Sequence, residues 1–315
     1  MTPILQVKDL RVDFYKDGTI INSALRGMDL SVDAGKTLGI VGETGCGKTL
    51  TGMAIMGLLP HSAVQTGEIL FEGFGTLKPS AMSDIRGSQI SVIFQNPHSA
   101  FNPVFTIGAQ LRMVAHKQGL RKNDADSAVE ARLRSVGLRD PKRVLSSFPH
   151  QLSGGMLQRC MIAMALISRP KLLIADEPTT ALDSTIGKQV LELINSLQTE
   201  EGFAMIFISH DVEVVSEVSD DIAVLYAGRV VEQGPAAQVI QNPVHPYTRG
   251  LLGAIPSSSK RRGQLTSIPG NVPANTLNLI GCSFASRCSD RFGACDKEPE
   301  MHLLQNRKVA CWKVI

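Results

Sequence analysis

Gly42-Glu43-Thr44-Gly45-Cys46-Gly47-Lys48-Thr49 is the stretch from which the rest of the chain can be read. A short apolar run, Thr37 to Val41, leads into it, and a helical stretch, Thr49 to Leu59, follows and is expected to end at Pro60. Strand, glycine-rich loop and helix in that order form the context of a phosphate-binding loop. Gly42, Gly45 and Gly47 permit backbone turns that aim N–H groups at phosphate oxygens. Lys48 then reaches the β and γ phosphates, and the Thr49 hydroxyl is placed to bind magnesium. Cys46 contributes mainly its backbone.

Two further segments complete a phosphate-handling set. Leu172-Leu173-Ile174-Ala175-Asp176-Glu177 reads as a buried strand ending in two acids. Asp176 can hold magnesium through water, and Glu177 can polarise an attacking water. Leu152-Ser153-Gly154-Gly155 opens a helical stretch that ends near Ile167. The Ser153 hydroxyl and the free N–H groups of Gly154 and Gly155 make an anion site at a helix start. The chain's own nucleotide is already cradled by the first loop, so this second site points to a phosphate supplied by another subunit.

Periodicity supplies the frame. Ile4 to Phe14 and Met28 to Val32 read as strands of an antiparallel edge sheet. Between Gln95 and Gln151 the pattern turns helical, clearest over Ile107 to Lys117 and Ala125 to Val136, with Gly119 and Gly137 as breaks. This predicts an inserted helical subdomain at about 96–155. From Ser153 onward, strands at Leu172 to Ala175, Ala204 to Ser209 and Ile222 to Tyr226 alternate with a helix over Ile186 to Thr199, which implies a parallel sheet. The expected fold is α/β, a P-loop NTPase with an antiparallel β subdomain and an inserted helical one. A nucleotide-binding domain at 1–242 would be followed by a small Cys-rich extension at 243–315.

Composition narrows the rest. A chain of 315 residues can bury one sizeable core with an appendage. The net charge is only +3 and the basic residues are scattered, so no electrostatic footprint for nucleic acid is expected. Lys260-Arg261-Arg262 reads as a solvated loop. No run approaches eighteen apolar residues, and Met1-Thr2-Pro3-Ile4-Leu5-Gln6 lacks the regions of a signal peptide, so a cytoplasmic location is expected. Six cysteines then suggest ligands or buried thiols more readily than disulfides.

Taken together, these motifs resemble those of the ATP-binding subunits of ABC transporters. The family's signature is matched by Gln151, Leu152-Ser153-Gly154-Gly155 and Gln158-Arg159, and the match extends over nearly all of residues 4 to 256. The resemblance implies a Q-loop glutamine at Gln95, a D-loop at Ala181-Leu182-Asp183 and a switch histidine at His210. It implies that Lys48, Thr49, Gln95 and Asp176 hold ATP and Mg2+, with Glu177 as general base. His210 would sense or stabilise the γ phosphate. It also implies head-to-tail dimers in which Ser153 to Gly155 serve the opposite site, and an adenine platform that aligns better with Phe14 than with Tyr15. Thr44 and Cys46 replace commoner serines, which removes no phosphate ligand.

A narrower resemblance lies downstream. His245-Pro246-Tyr247-Thr248 with Leu251-Leu252, Ile268-Pro269-Gly270, Gly281-Cys282, Phe284 and Arg287-Cys288 look like the dipeptide and oligopeptide importer subfamily, which also includes nickel uptake systems. Cys282, Cys288, Cys295 and Cys311 lack the close pairs usual for structural zinc. Soft thiolates also suit iron and sulfur. The resemblance implies a 4Fe-4S cluster on these four cysteines; Zn2+ and unligated or disulfide-bonded cysteines stay open, and the role is structural or regulatory in each case.

An importer of this type implies two transmembrane permease subunits, a second ATPase subunit, identical or homologous, and an external solute-binding protein. The chain would then sit on the cytoplasmic face of the cell membrane. A soluble ABC ATPase outside transport is the contrasting class, weakened by the single nucleotide domain and the importer-like tail. A nonenzymatic nucleotide-binding regulator is the other.

Overall fold

The computed structural model of the chain describes residues 3–78, 81–254 and 268–314. The basic run at 260–262 lies outside the described residues. The chain opens with β1 (Pro3–Lys16) and β2 (Thr19–Asp33), joined at Asp17-Gly18, where both residues take positive φ. β3 (Thr37–Val41) runs into the glycine loop and α1 (Lys48–Ile55), and β4 (Ala63–Phe71) and β5 (Gly75–Thr76) follow. An antiparallel sheet of order β2-β1-β4-β5 results, as the alternation predicts. β2 is longer than its readable core at Met28 to Val32, because pairing with β1 extends to its exposed end at Thr19. α1 ends at Ile55 rather than near Leu59: Gly57, at φ 60°, turns the chain before Pro60 is reached.

α2 (Met82–Ile85) and β6 (Ile90–Ile93), a strand of the main sheet, lead into the helical subdomain, which comprises α3 (Pro97–Ala100), α4 (Ile107–Lys117), α5 (Lys122–Ser135) and α6 (Pro141–Ser146). Thr106 caps α4 by accepting from the Ala109 N–H, and Asp140 caps α6 from the Arg143 N–H. Ile107, Leu111, Val129 and Leu133 bury the faces of α4 and α5 in the shared core.

The central layer contains β7 (Leu172–Asp176), β8 (Ala204–Ile208), β9 (Asp221–Tyr226) and β10 (Arg229–Pro235), flanked by α7 (Gly154–Leu166), α8 (Ser184–Glu201), α9 (Val212–Val218), α10 (Ala236–Gln241) and α11 (Pro246–Gly253). β11 (His302–Leu304) and β12 (Arg307–Val309) close the chain, and the sheet order is β11-β12-β10-β9-β3-β8-β7-β6. The pairs among β9, β3, β8, β7 and β6 are parallel, as the alternation predicts. β3, β7 and β8 are buried throughout, which their unbroken apolar runs require. The sheet becomes mixed where β10, β12 and β11 add antiparallel.

The extension is fastened to this sheet. Glu232 on β10 is fully buried and its carboxylate accepts from the Val244 and His245 N–H groups, with Arg307 of β12 at 3.5 Å. The stretch after Asn242 carries α11, whose His245 cap accepts from the Tyr247 N–H. Tyr226, Tyr247 and Phe284 pack in a cluster of tilted and edge-to-face rings with centroids 4.7 to 5.3 Å apart.

Candidate nucleotide site

The phosphate loop is shaped by its glycines. Gly42 has φ 155°, and a Cβ there would stand 2.3 Å from the Leu225 carbonyl oxygen; Gly47, at φ 110°, would meet Leu25 at 2.7 Å. Lys48 is buried, and its Nζ donates to the carbonyls of Gly42 at 2.7 Å and Glu43 at 3.2 Å, curling across the loop. Cys46 is fully buried behind the loop, and burial pushes its thiol up, consistent with a backbone role.

Parallel pairing of β3, β8 and β7 brings the two acids to the loop. The Thr49 hydroxyl donates to Asp176 Oδ1 at 3.2 Å, so two of the three expected magnesium ligands already touch. Burial pushes the Asp176 carboxyl up. Glu177 takes a left-handed backbone, φ 47°, which costs on the order of 1–3 kcal/mol and is held by its N–H bond to the Ile208 carbonyl. Its carboxylate accepts from Gln95 Nε2 at 2.9 Å, the Thr180 hydroxyl at 2.9 Å and His210 Nδ1–H at 3.0 Å. Burial alone would push this carboxyl up, but the bonds from His210 and Thr180 and the charges of His210 and Lys48 outweigh it and hold it below the ordinary carboxylate range. Glu177 is therefore ionised at neutral pH.

These groups surround a cavity of about 500 Å³ lined by Gly45, Gly47, Lys48, Thr49, Gln95, Glu177, Thr180 and His210, with Asn22, Ala227, Gly228, Pro273, Ala274 and Thr276 on the far side. A larger cavity, about 640 Å³, lies between the β subdomain and the tail, and no residue of the glycine loop lines it. Phe14 is not brought to the 500 Å³ cavity: it packs half-buried against the β-subdomain core, while its β2 partner Asn22 lines the wall.

Ser153, Gly154 and Gly155 do not line this cavity. The Ser153 hydroxyl caps α7 by accepting from the Met156 N–H at 3.4 Å. Gly155 packs so closely that a Cβ would lie 2.9 Å from Ile186. Asp183 likewise spends its carboxylate capping α8 through the Ile186 N–H. Buried Gln158 on α7 donates to the Pro178 carbonyl at 2.7 Å and so ties the signature helix to the turn after Glu177. Gln158→Leu would leave that carbonyl unpaired; a loss of about 1–3 kcal/mol is expected, read as a lower midpoint in urea.

A family model described as "ABC transporter" matches residues 25–180, and one described as "Oligopeptide/dipeptide transporter, C-terminal region" matches residues 231–295. The probable peptide ABC transporter ATP-binding protein y4tR of Sinorhizobium fredii is 44% identical, covering 98% of this chain and 95% of its own. The chain belongs to the ATP-binding subunits of ABC transporters. Within that family, the dipeptide transport ATP-binding protein DppD of Bacillus subtilis is 43% identical over 99% of this chain and 95% of its own. Among solved structures, cbiO1 from Clostridium perfringens, part of the complex cbiONQ, superposes with a TM-score of 0.65 at 27% identity, covering 77% of this chain and 92% of that one. A dimeric ATP-binding cassette, MJ0796, in a post-hydrolysis state bound to ADP and Pi, superposes with a TM-score of 0.64 at 26% identity over 74% of this chain and 98% of that one. The ABC subunit is thus an ATP-hydrolysing enzyme that uses ATP and Mg2+.

The tail cysteines also meet. Cys282, Cys288, Cys295 and Cys311 line one small cavity with His245, Phe284, Phe292 and Trp312, and all four are free thiols. Burial pushes Cys282 up to about 11. A zinc ion would draw its ligands to about 2.3 Å from one point, and among the described residues no group of three His, Cys, Asp or Glu side chains is arranged to hold a single metal ion. The four soft thiols share this cavity with Asp290 and Lys313, and soft thiolates are the donors that iron–sulfur clusters take. Among the described residues no helix is long and apolar enough to cross a membrane.

Sequence reading missed several contributors. Thr180 follows Glu177 by three residues and carries no motif of its own. Asn22, Pro273, Ala274 and Thr276 reach the cavity only through tertiary folding, the tail being stitched to β2 where Thr276 N–H and Asn275 Nδ2 donate to Asn22 Oδ1 and the Ile21 carbonyl.

Proposed function

We propose that the chain is the ATPase subunit that drives import of dipeptides or oligopeptides through a membrane ABC transporter. The observation that carries this is the combination of a complete phosphate site around Glu177 with likeness to peptide ATP-binding proteins along nearly the whole chain, tail included. Its nucleotide-binding body is residues 1–242, with the helical subdomain at 96–155, and the extension is 243–315.

In this reading Lys48 binds the β and γ phosphates after leaving the loop carbonyls, and Thr49, Gln95 and Asp176 hold magnesium. Glu177 takes the proton of the attacking water while His210 steadies the γ phosphate. A second ATPase subunit, identical or homologous, supplies Ser153 to Gly155 across the interface. The subunit docks through its helical subdomain and Gln95 loop on two permeases at the cytoplasmic face, and an extracytoplasmic solute-binding protein delivers the peptide. The four tail cysteines hold a 4Fe-4S cluster, which would supply a cross-link among distant segments of the extension and no step of hydrolysis.

The test is anaerobic purification of the tagged chain from gently solubilised membranes. Two permease subunits identified by mass spectrometry, with stoichiometric iron and acid-labile sulfide, are the expected result. A permease-free chain from cells expressing the full native complement would refute the transport assignment, and a metal-free complex would refute the cluster.

A further inference from the structure

The phosphate loop is gripped by the C-terminal extension. Arg287, whose side chain is 4% exposed, donates from Nη1 and Nη2 to the two carboxylate oxygens of Glu43 at 2.6 and 2.9 Å. The same guanidinium donates from Nε to the Pro269 carbonyl at 2.7 Å and from Nη2 to the Gly270 carbonyl at 3.1 Å, and it lies 5.7 Å from the Tyr226 ring centroid. Glu43 is also held by its backbone: its N–H donates to the hydroxyl of buried Tyr247 at 2.9 Å, while its carbonyl accepts from Lys48 Nζ. Both tail residues therefore act on the second residue of the phosphate loop, immediately after Gly42 and five before Lys48. A bidentate arginine–carboxylate pair fixes orientation as well as distance, and this one is anchored by carbonyls of its own segment.

We propose that Arg287 is a positioning residue for ATP binding, acting through Glu43 to hold the phosphate loop open at the spacing its N–H groups need. The loop before Lys48 has several glycines at positive φ and so little stiffness of its own. Arg287 and Tyr247 supply that stiffness from outside. The extension thereby becomes part of the nucleotide site's scaffold, and loosening it is transmitted to ATP affinity before it reaches the base Glu177. This inference rests on reading 42–49 as the ATP site.

The test uses the full-length chain and titrates a fluorescent ATP analogue with Mg2+, then follows steady-state hydrolysis. Glu43→Gln keeps an acceptor beside Arg287 and preserves the buried packing, so it is the primary variant; Arg287→Lys keeps charge without the fork. Each is expected to weaken nucleotide affinity and raise KM by on the order of tenfold, with kcat changed much less. The double variant Glu43→Gln/Arg287→Lys should be no weaker than the worse single one, because both remove one linkage. Unchanged affinity in both single variants, or multiplicative losses in the double, would overturn the proposal. Lys48→Ala is the control that separates the two claims: if it too binds ATP normally, the ATP site itself is misplaced, whereas loss in Lys48→Ala with wild-type binding in Glu43→Gln defeats the positioning role alone.

Discussion

Glu177→Gln is expected to lower steady-state ATP hydrolysis by about 10²- to 10⁴-fold, the usual contribution of a positioned general base, while ATP binding persists. The geometry explains why binding and chemistry separate. Glu177 is the common acceptor of Gln95, Thr180 and His210, but Lys48 and Thr49 do not depend on it for position. Glutamine keeps the size of the side chain and can still accept one hydrogen bond, so the folded site should survive; what it loses is the ability to take a proton. The check is paired measurement on one preparation, with phosphate release for chemistry and analogue titration for affinity. Hydrolysis within tenfold of wild type would place the base elsewhere.

Gly154→Asp carries the second large effect. A Cβ at Gly154 meets Leu182 only at 3.7 Å, an ordinary contact, and an acid at a helix start suits the helix itself. The carboxylate would nevertheless occupy the free N–H groups of α7 and repel a phosphate arriving from the partner subunit. Hydrolysis should fall by about 10²- to 10³-fold, the scale of losing an oxyanion donor, with the isolated chain binding ATP as before. Where two copies of the chain pair, mixing Gly154→Asp with Glu177→Gln chains should restore turnover, because one of the composite sites then contains neither substitution. No recovery in a dimer of the two would argue that both motifs serve the same chain's nucleotide.

The parts of this site legible in the sequence are those encoded locally. Gly42, Gly45, Gly47, Lys48 and Thr49 all lie in the one stretch 42–49, and the loop folds as their spacing requires. Asp176 and Glu177 end an unbroken apolar strand, so parallel pairing alone carries them to Thr49. The antiparallel subdomain was readable from alternation in Ile4 to Phe14, and the helical insert from its glycine breaks. Contacts between segments far apart in the chain left no such trace. Arg287 and Glu43 are separated by 244 residues, and nothing in the neighbourhood of Cys288 says that its preceding arginine faces a phosphate loop. Asn22 and Thr276 reach the cavity for the same reason. Phe14 shows the converse: the resemblance implied an adenine platform there, but which cavity a strand faces is set by tertiary packing, and Phe14 packs against the β-subdomain core outside the 500 Å³ cavity. α1 ended early because a single positive-φ glycine, Gly57, stops a helix as firmly as the proline three residues later.

The central claim is that hydrolysis at Glu177 powers peptide import, and uptake of a labelled dipeptide and a labelled oligopeptide by intact cells tests it most directly. Cells whose only copy of the chain carries Glu177→Gln should take up neither above background, although the permeases and the binding protein are present at normal levels. Uptake at the wild-type rate in those cells would contradict the account.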